Sequence, residues 1–339
     1  MLTNLRQRTR YSKLGIIFQQ IYNNWRTKRR FNAGKFEGTS GSTHINKSLQ
    51  QSLNYINQVF DDYLDYSGIT INMLRDKRIL EIGPGDNLGV AIQFLLAGAK
   101  QVVCLDKFFS KRDSEQQRKI YQALSEGLNE DERCIADEVL DSEGELRSDS
   151  QKLSSIYGTG IEEAEKIFDP ESFDLIVSRA VLMYVYDPDA AFTVMHRLLK
   201  PGGYMIHKID FRDHGMFSNH KHHPLTFLAI PSWVYRLMTR DSGKSNRRLI
   251  NYYRRKASEL GYDTKILITH IVGERDEIVP HKELVRLGVD YTYATISLLN
   301  NIRPHLQPEF RDMSDEELLV SGIFLTARKP LFCNLVPSF

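Results

Sequence analysis

The sequence predicts an α/β fold organised on a mostly parallel, doubly wound sheet. Two observations carry that expectation. Residues 77–106 read as a strand, a glycine turn, an apolar helix and a second strand, the unit from which parallel sheets are wound. Further along, two apolar runs, 172–179 (SFDLIVSR) and 204–211 (YMIHKIDF), flank a helix-like segment that ends in LLKPGG, so strand and helix keep alternating.

Each element of the first unit has a local reason. Residues 78–82 (RILEI) form a short apolar run stopped by glycine, which suits a buried parallel strand. Gly83-Pro84-Gly85-Asp86-Asn87-Leu88-Gly89 is a turn of small residues and positive φ. Residues 90–97 are an apolar helix with Gly98 as its stop. Residues 101–105 (QVVCL) are β-rich and end on Asp106. A glycine turn at the carboxyl edge of a parallel sheet lets a ligand approach the backbone. An acid at the tip of the next strand, about 20 positions on, accepts ribose hydroxyls. The unit therefore reads as a nucleoside pocket.

The dinucleotide fingerprint G-x-G-x-x-G needs glycine at position 88, where this chain has Leu88. Glu81 repels a pyrophosphate but suits a ligand with ammonium and sulfonium groups. EIGPGDNLG resembles the E/D-x-G-x-G-x-x-x-G signature of class I S-adenosylmethionine-dependent methyltransferases. The resemblance implies a seven-stranded, mostly parallel sheet with helices on both faces, a last antiparallel strand, an N-terminal helical lid and a cap insertion after strand five. It also implies S-adenosyl-L-methionine as cofactor. Carried onto this chain, Glu81, Gly83, Pro84, Gly85 and Asn87 hold the methionine end, and Asp106 with Lys107 the ribose side. Ile161 and Glu162, in YGTGIE after a third strand, are the adenine positions. Ser178 closes FDLIVS, which resembles the family's fourth-strand motif, and LLKPGG before strand five is a further family feature. HGMF…HHPLTFL…NRRLINYYRRKASELGY resembles uncharacterised bacterial methyltransferases of surface-glycan and natural-product gene clusters.

Bulk composition sets outer bounds. The chain has 339 residues, 41% hydrophobic and 26% charged, with net charge +2, which excludes wholesale disorder. Cys104, Cys134 and Cys333 are odd in number and widely spaced, arguing for a reducing compartment and against a disulfide framework. Without an apolar leader-like run or 18 consecutive apolar residues, the expected location is cytoplasmic.

The resemblance and the composition divide the chain into four parts: residues 1–70, a basic helical segment or lid; 71–212, the cofactor-binding core; 213–245, a substrate cap; and 246–339, the remaining sheet with a helical insertion. Residues 1–36 hold nine Lys and Arg and no acid, with Tyr11, Leu14, Ile17, Phe18, Ile21, Tyr22 and Trp25 at helical spacing. This stripe is expected to dock on the main domain; the other reading is peripheral contact with an anionic membrane. A nucleic-acid partner is not expected, because only this end is basic. Thr43 and His44, in the small-residue loop 36–48, either touch the cofactor's polar end or serve as a plain connector. Asp61, Asp62 and Asp65 are expected to be solvated, and residues 126–150, rich in acids and serine, to form a surface insertion.

Methyl transfer to a hydroxyl needs a base near the sheet's carboxyl edge. His207, Asp210 and His214 are the candidates, although strand alternation puts His207 and Asp210 on opposite faces. His220, His222 and His223 lack the cysteine or acid that would complete a tetrahedral set, so no metal is expected. Phe217, Phe227, Trp233 and Tyr235 either stack on a substrate or form the cap's own core. The expected activity is methylation of an oxygen on a sugar or other polar small molecule. Transfer to nitrogen or to a peptide carboxylate, in a glycan or peptide-derived acceptor, stays open. So do two other classes, an NAD-dependent oxidoreductase and a non-catalytic nucleoside-binding module.

Overall fold

In a computed structural model that describes residues 11–38 and 41–331, the apolar runs assemble into one seven-stranded sheet. The strands are β1 (Arg78–Ile82), β2 (Gln101–Asp106), β3 (Leu153–Tyr157), β4 (Phe173–Arg179), β5 (Leu199–Asp210), β6 (Asp263–Ile271) and β7 (Val320–Arg328). Their spatial order is β3-β2-β1-β4-β5-β7-β6. β1 to β5 are mutually parallel, and β7 runs antiparallel between β5 and β6. The order reverses beside β1, which makes the carboxyl end of β1 the switch point where such sheets open a crevice.

Helix α1 (Lys13–Asn32) lies at the periphery. Helices α2 (Leu49–Ser67), α3 (Gly89–Leu96), α4 (Ser114–Leu124) and α5 (Glu130–Val139) cover one face. Helices α6 (Pro188–Leu198), α7 (Ser232–Thr239), α8 (Ile250–Glu259) and α9 (Tyr293–Ile302) cover the other. Alternation along β1 sends Ile79 and Glu81 to the first face and Leu80 and Ile82 to the second. α2 shows how sequence sets one layer. Ser48 and Gln51 form a capping box at its start, and Gly68, at φ 77°, closes it. Between them Ile56, Val59, Phe60 and Tyr63 are buried against α3 and the sheet. Each such side chain contributes about 1.5–3 kcal/mol by leaving water.

Two details depart from the sequence reading, and a third decides between alternatives it left open. α6 stops at Leu198, and the PGG turn is a bulge inside β5: Phe173 pairs with Leu199 and Leu175 with Tyr204, so residues 200–203 loop out opposite Asp174. Residues 126–150 are not merely a surface insertion, because α5 buries Ala136 and Val139. In the cap, Phe217, Phe227 and Tyr235 are buried and form its core, while Trp233 is exposed. The basic run at Arg6, Arg8 and Arg10, and Cys333, lie outside the described residues. Among the described residues no helix is long and apolar enough to cross a membrane.

Candidate active site

The carboxyl edge of the sheet gathers the polar residues that the core cannot use. After β1 the chain turns through Gly83 and Gly85, both at positive φ (69° and 76°). A Cβ on Gly85 would stand 2.7 Å from the Gly41 carbonyl oxygen, so only glycine lets residues 41–44 lie on the turn. That segment is clamped there. Asp86 accepts hydrogen bonds from the backbone amides of Thr43 (3.0 Å) and His44 (2.9 Å), and its own amide donates to Gly41 (3.1 Å). Thr43 and His44 therefore bind the turn itself, which neither sequence reading foresaw. The acid in the glycine turn was the signal that could have revealed the clamp.

Glu81 is 6% exposed, and its one hydrogen-bond partner among the described residues is Cys104, whose Sγ donates at 3.5 Å. Burial pushes its carboxyl up to about 7. Asp106, at the tip of β2, is also raised, to about 6, by burial; the Phe108 amide (2.9 Å) and Arg112 oppose the shift. Lys107 lays its ammonium on the Tyr186 ring (3.9 Å). Asn87 Oδ1 accepts from the Gly89 amide (2.7 Å), while its Nδ2 and His44 Nδ1 are buried with no partner among the described residues. Ile161 is buried, and Glu162 accepts from the Tyr186 amide (2.6 Å), tying the loop after β4 to the end of β3.

Two of the expected site residues do not reach the edge's surface. Ser178 and His207 are fully buried neighbours on β4 and β5, joined by a hydrogen bond of 2.8 Å between Oγ and Nδ1. Burial holds the His207 imidazole down to about 3, so it is a neutral core histidine. This corrects the expectation of His207 as a base reached by an acceptor, and of Ser178 as a cofactor contact. Their strand register turns both side chains into the α6–α8 layer. Asp210 and His214 remain at the edge. His214 Nε2 stands 4.0 Å from Asp210 Oδ1, an ion-pair separation rather than a hydrogen bond, and its ring lies 5.1 Å from Tyr184. Burial raises the Asp210 carboxyl, but hydrogen bonds and charge from Arg212 outweigh that and hold it below the usual range.

A charged network beside this pair was not foreseen. Arg179, which ends β4, donates to Asp62 of α2 at 2.6 Å. Lys208 lies 3.5 Å from Asp62 and also binds Glu277. Asp62 is 14% exposed, so the solvated reading of that acid is corrected: the helix face it shares with Val59 carries it over the sheet edge. Tyr55, one helical stretch earlier, has its ring 5.6 Å from His44 and 5.7 Å from Arg179, linking the clamp to the network. Asp62→Ala is expected to lower stability by about 2–3 kcal/mol, because it strands the nearly buried Arg179 and leaves Lys208 with Glu277 alone. The urea midpoint measures this; an unchanged midpoint would mean that water already screens them.

His220, His222 and His223 are occupied elsewhere. The His220 ring stacks on Tyr11 (4.6 Å), His222 meets the Tyr11 carbonyl (2.9 Å), and His223 meets the Leu298 carbonyl (3.0 Å). Among the described residues no group of three or more His, Cys, Asp or Glu is arranged to hold a metal ion.

A doubly wound sheet with a glycine turn and an acid at the switch point defines a nucleoside-binding α/β enzyme. Residues 54–259, well over half of the chain, match the family described as methyltransferase domain, and the chain belongs to that family. It is an S-adenosylmethionine-dependent methyltransferase with the class I fold. No curated protein matches it. Similar solved structures include phosphoethanolamine N-methyltransferase 2 of Haemonchus contortus in complex with S-adenosyl-L-methionine (15% identity, 85% of this chain and 58% of that one, TM-score 0.43). Others are S-adenosylmethionine-dependent methyltransferases from Mesorhizobium loti (13%, 83% and 100%, TM-score 0.39) and Methanosarcina mazei (16%, 81% and 98%, TM-score 0.39). The residues around the turn fit the cofactor's chemistry: among the described residues, a buried acid pairs with no cation, and polar atoms on Asn87 and His44 have no partner.

Proposed function

We propose that the enzyme methylates a hydroxyl oxygen of a sugar or another polar small molecule, with His214 as the base and Asp210 behind it. The observation that supports this best is their pairing on the rim next to Tyr184, with His214's side chain 30% exposed. When bound, the cofactor supplies a methyl group on a sulfonium, ready for in-line displacement. Glu81 would meet the cofactor's cationic end, the glycine turn would let its methionine part approach the chain's backbone, and Asp106 would accept the ribose hydroxyls. Lys107, Ile161 and Glu162 would border the adenosine side.

A hydroxyl must lose its proton as the new bond to carbon forms. His214 takes that proton, and the ionised Asp210 carboxylate stabilises the imidazolium. The charged wall of Arg179 and Arg212 orients a polar acceptor and turns away an apolar one.

Transfer of labelled methyl groups from S-adenosylmethionine to a panel of monosaccharides, nucleotide sugars and amines tests the reading. His214→Ala is expected to lower kcat on the hydroxyl acceptor by about 100-fold or more, the low end for loss of a general base. Unchanged turnover in that variant, or methylation of amines alone, would overturn it.

A further inference from the structure

α1 presents two apolar stripes, and one is enough to hold it. Its inward side, with Ile16, Ile17, Ile21 and Asn24, packs along α7 and the cap. Asn24 bridges to Asp241 beyond α7: its Oδ1 accepts from the Asp241 amide (2.7 Å) and its Nδ2 donates to the carboxylate (3.4 Å). The second stripe is Leu14, Phe18, Tyr22 and Trp25, 50–70% exposed. At about 100° per residue these four fall within one narrow arc of the helix. The neighbouring α7 adds Trp233 (70%) and Leu237 (51%), again one turn apart. The chain has two tryptophans, and both stand on these exposed stripes. A helix that served only as a strut would carry polar residues there.

The charge around the stripes is mostly of one sign. α1 itself carries Lys13, Arg26, Lys28, Arg29 and Arg30 and no acid, and Asp241 is the acid that Asn24 holds beside it. Arg29 stacks on Trp25 (4.8 Å), Arg26 follows Trp25 in sequence, and Arg30 donates to the Glu37 carbonyl (2.9 Å). α7 turns Arg236 and Arg240 into a cavity of about 980 Å³ between α7, α8 and the 309–313 turn. Lys244, Arg247, Arg248 and Arg255 also line it, against a single acid, Glu309. Arg236, Arg240 and Lys244 pair with no acid among the described residues. Exposed aromatics bordered by cations match a surface that mixes apolar chains with phosphates.

We propose that the α1–α7 face docks on an anionic lipid membrane. The stripes enter the headgroup boundary, and the cations of α1 and the cavity take lipid phosphates. The contact is peripheral, and it does not depend on the acceptor assignment above.

Co-sedimentation of the full chain with vesicles of phosphatidylcholine, with and without phosphatidylglycerol, tests it. Binding to the anionic vesicles alone, released by high salt, is expected, together with a blue shift of tryptophan emission. Phe18→Ser combined with Trp233→Ser should weaken binding roughly tenfold or more, and so should Arg236→Glu combined with Arg240→Glu. All four side chains are exposed, and circular dichroism checks that the variants fold. Equal binding to neutral vesicles, no binding to anionic ones, or variants that bind like the parent would overturn the proposal. So would light scattering that shows the same substitutions breaking a dimer.

Discussion

Glu81→Gln is expected to make the protein more stable above neutral pH while weakening S-adenosylmethionine binding about 10- to 100-fold, the range for losing a charged hydrogen-bond partner. The two effects share one cause. Glu81 is buried with a thiol as its polar neighbour, and burial lifts its carboxyl from the ordinary 4.5 to about 7. Between those values the folded chain holds a proton that the unfolded chain has lost, so stability falls as pH rises through that window. By pH 8 the accumulated cost is about 3 kcal/mol, and glutamine abolishes it. A cationic ligand beside the carboxylate reverses the shift, so binding near neutral pH releases a proton. Urea midpoints between pH 5 and 8, and calorimetry in buffers of different ionisation enthalpy, read both effects. A parent midpoint that does not change with pH would refute the assignment.

Gly85→Ala is expected to cost about 2–4 kcal/mol of stability and to abolish cofactor binding. Residue 85 sits at φ 76°, and the added Cβ meets the Gly41 oxygen at 2.7 Å. Relief requires residues 41–44 to leave the turn, which breaks the amide contacts to Asp86. Gly68→Ala is the control. It has nearly the same φ, 77°, with nothing within 4 Å, so it should cost only the left-handed strain, about 1 kcal/mol. Equal losses at the two sites would mean that the clamp is not rigid.

Much of this site was legible in local sequence. RILEI, the glycine turn and QVVCLD each carry their instructions within a few residues, because a parallel strand buried on both faces is uniformly apolar and a ligand turn needs glycine. Asp106 follows from its place at the end of an apolar run and its spacing from the glycine turn. FDLIVS and YMIHKID were equally plain, and they brought Asp210 to the edge.

What stayed hidden depends on the partner across the fold. Asp62 reads as a solvated helix acid until Arg179 and Lys208, more than 100 positions later, close over it. His207 reads as a strand-end base until the register with Ser178 turns it inward, where low dielectric keeps it neutral. α1 reads as one amphipathic stripe, yet packing against α7 splits it into a buried and an exposed row. The sheet, the glycine turn and the acids beside it could be read from local sequence, because those depend on backbone geometry and short-range periodicity. The tertiary structure alone decided which charged side chains lose their water, because burial is set by residues far away in the chain.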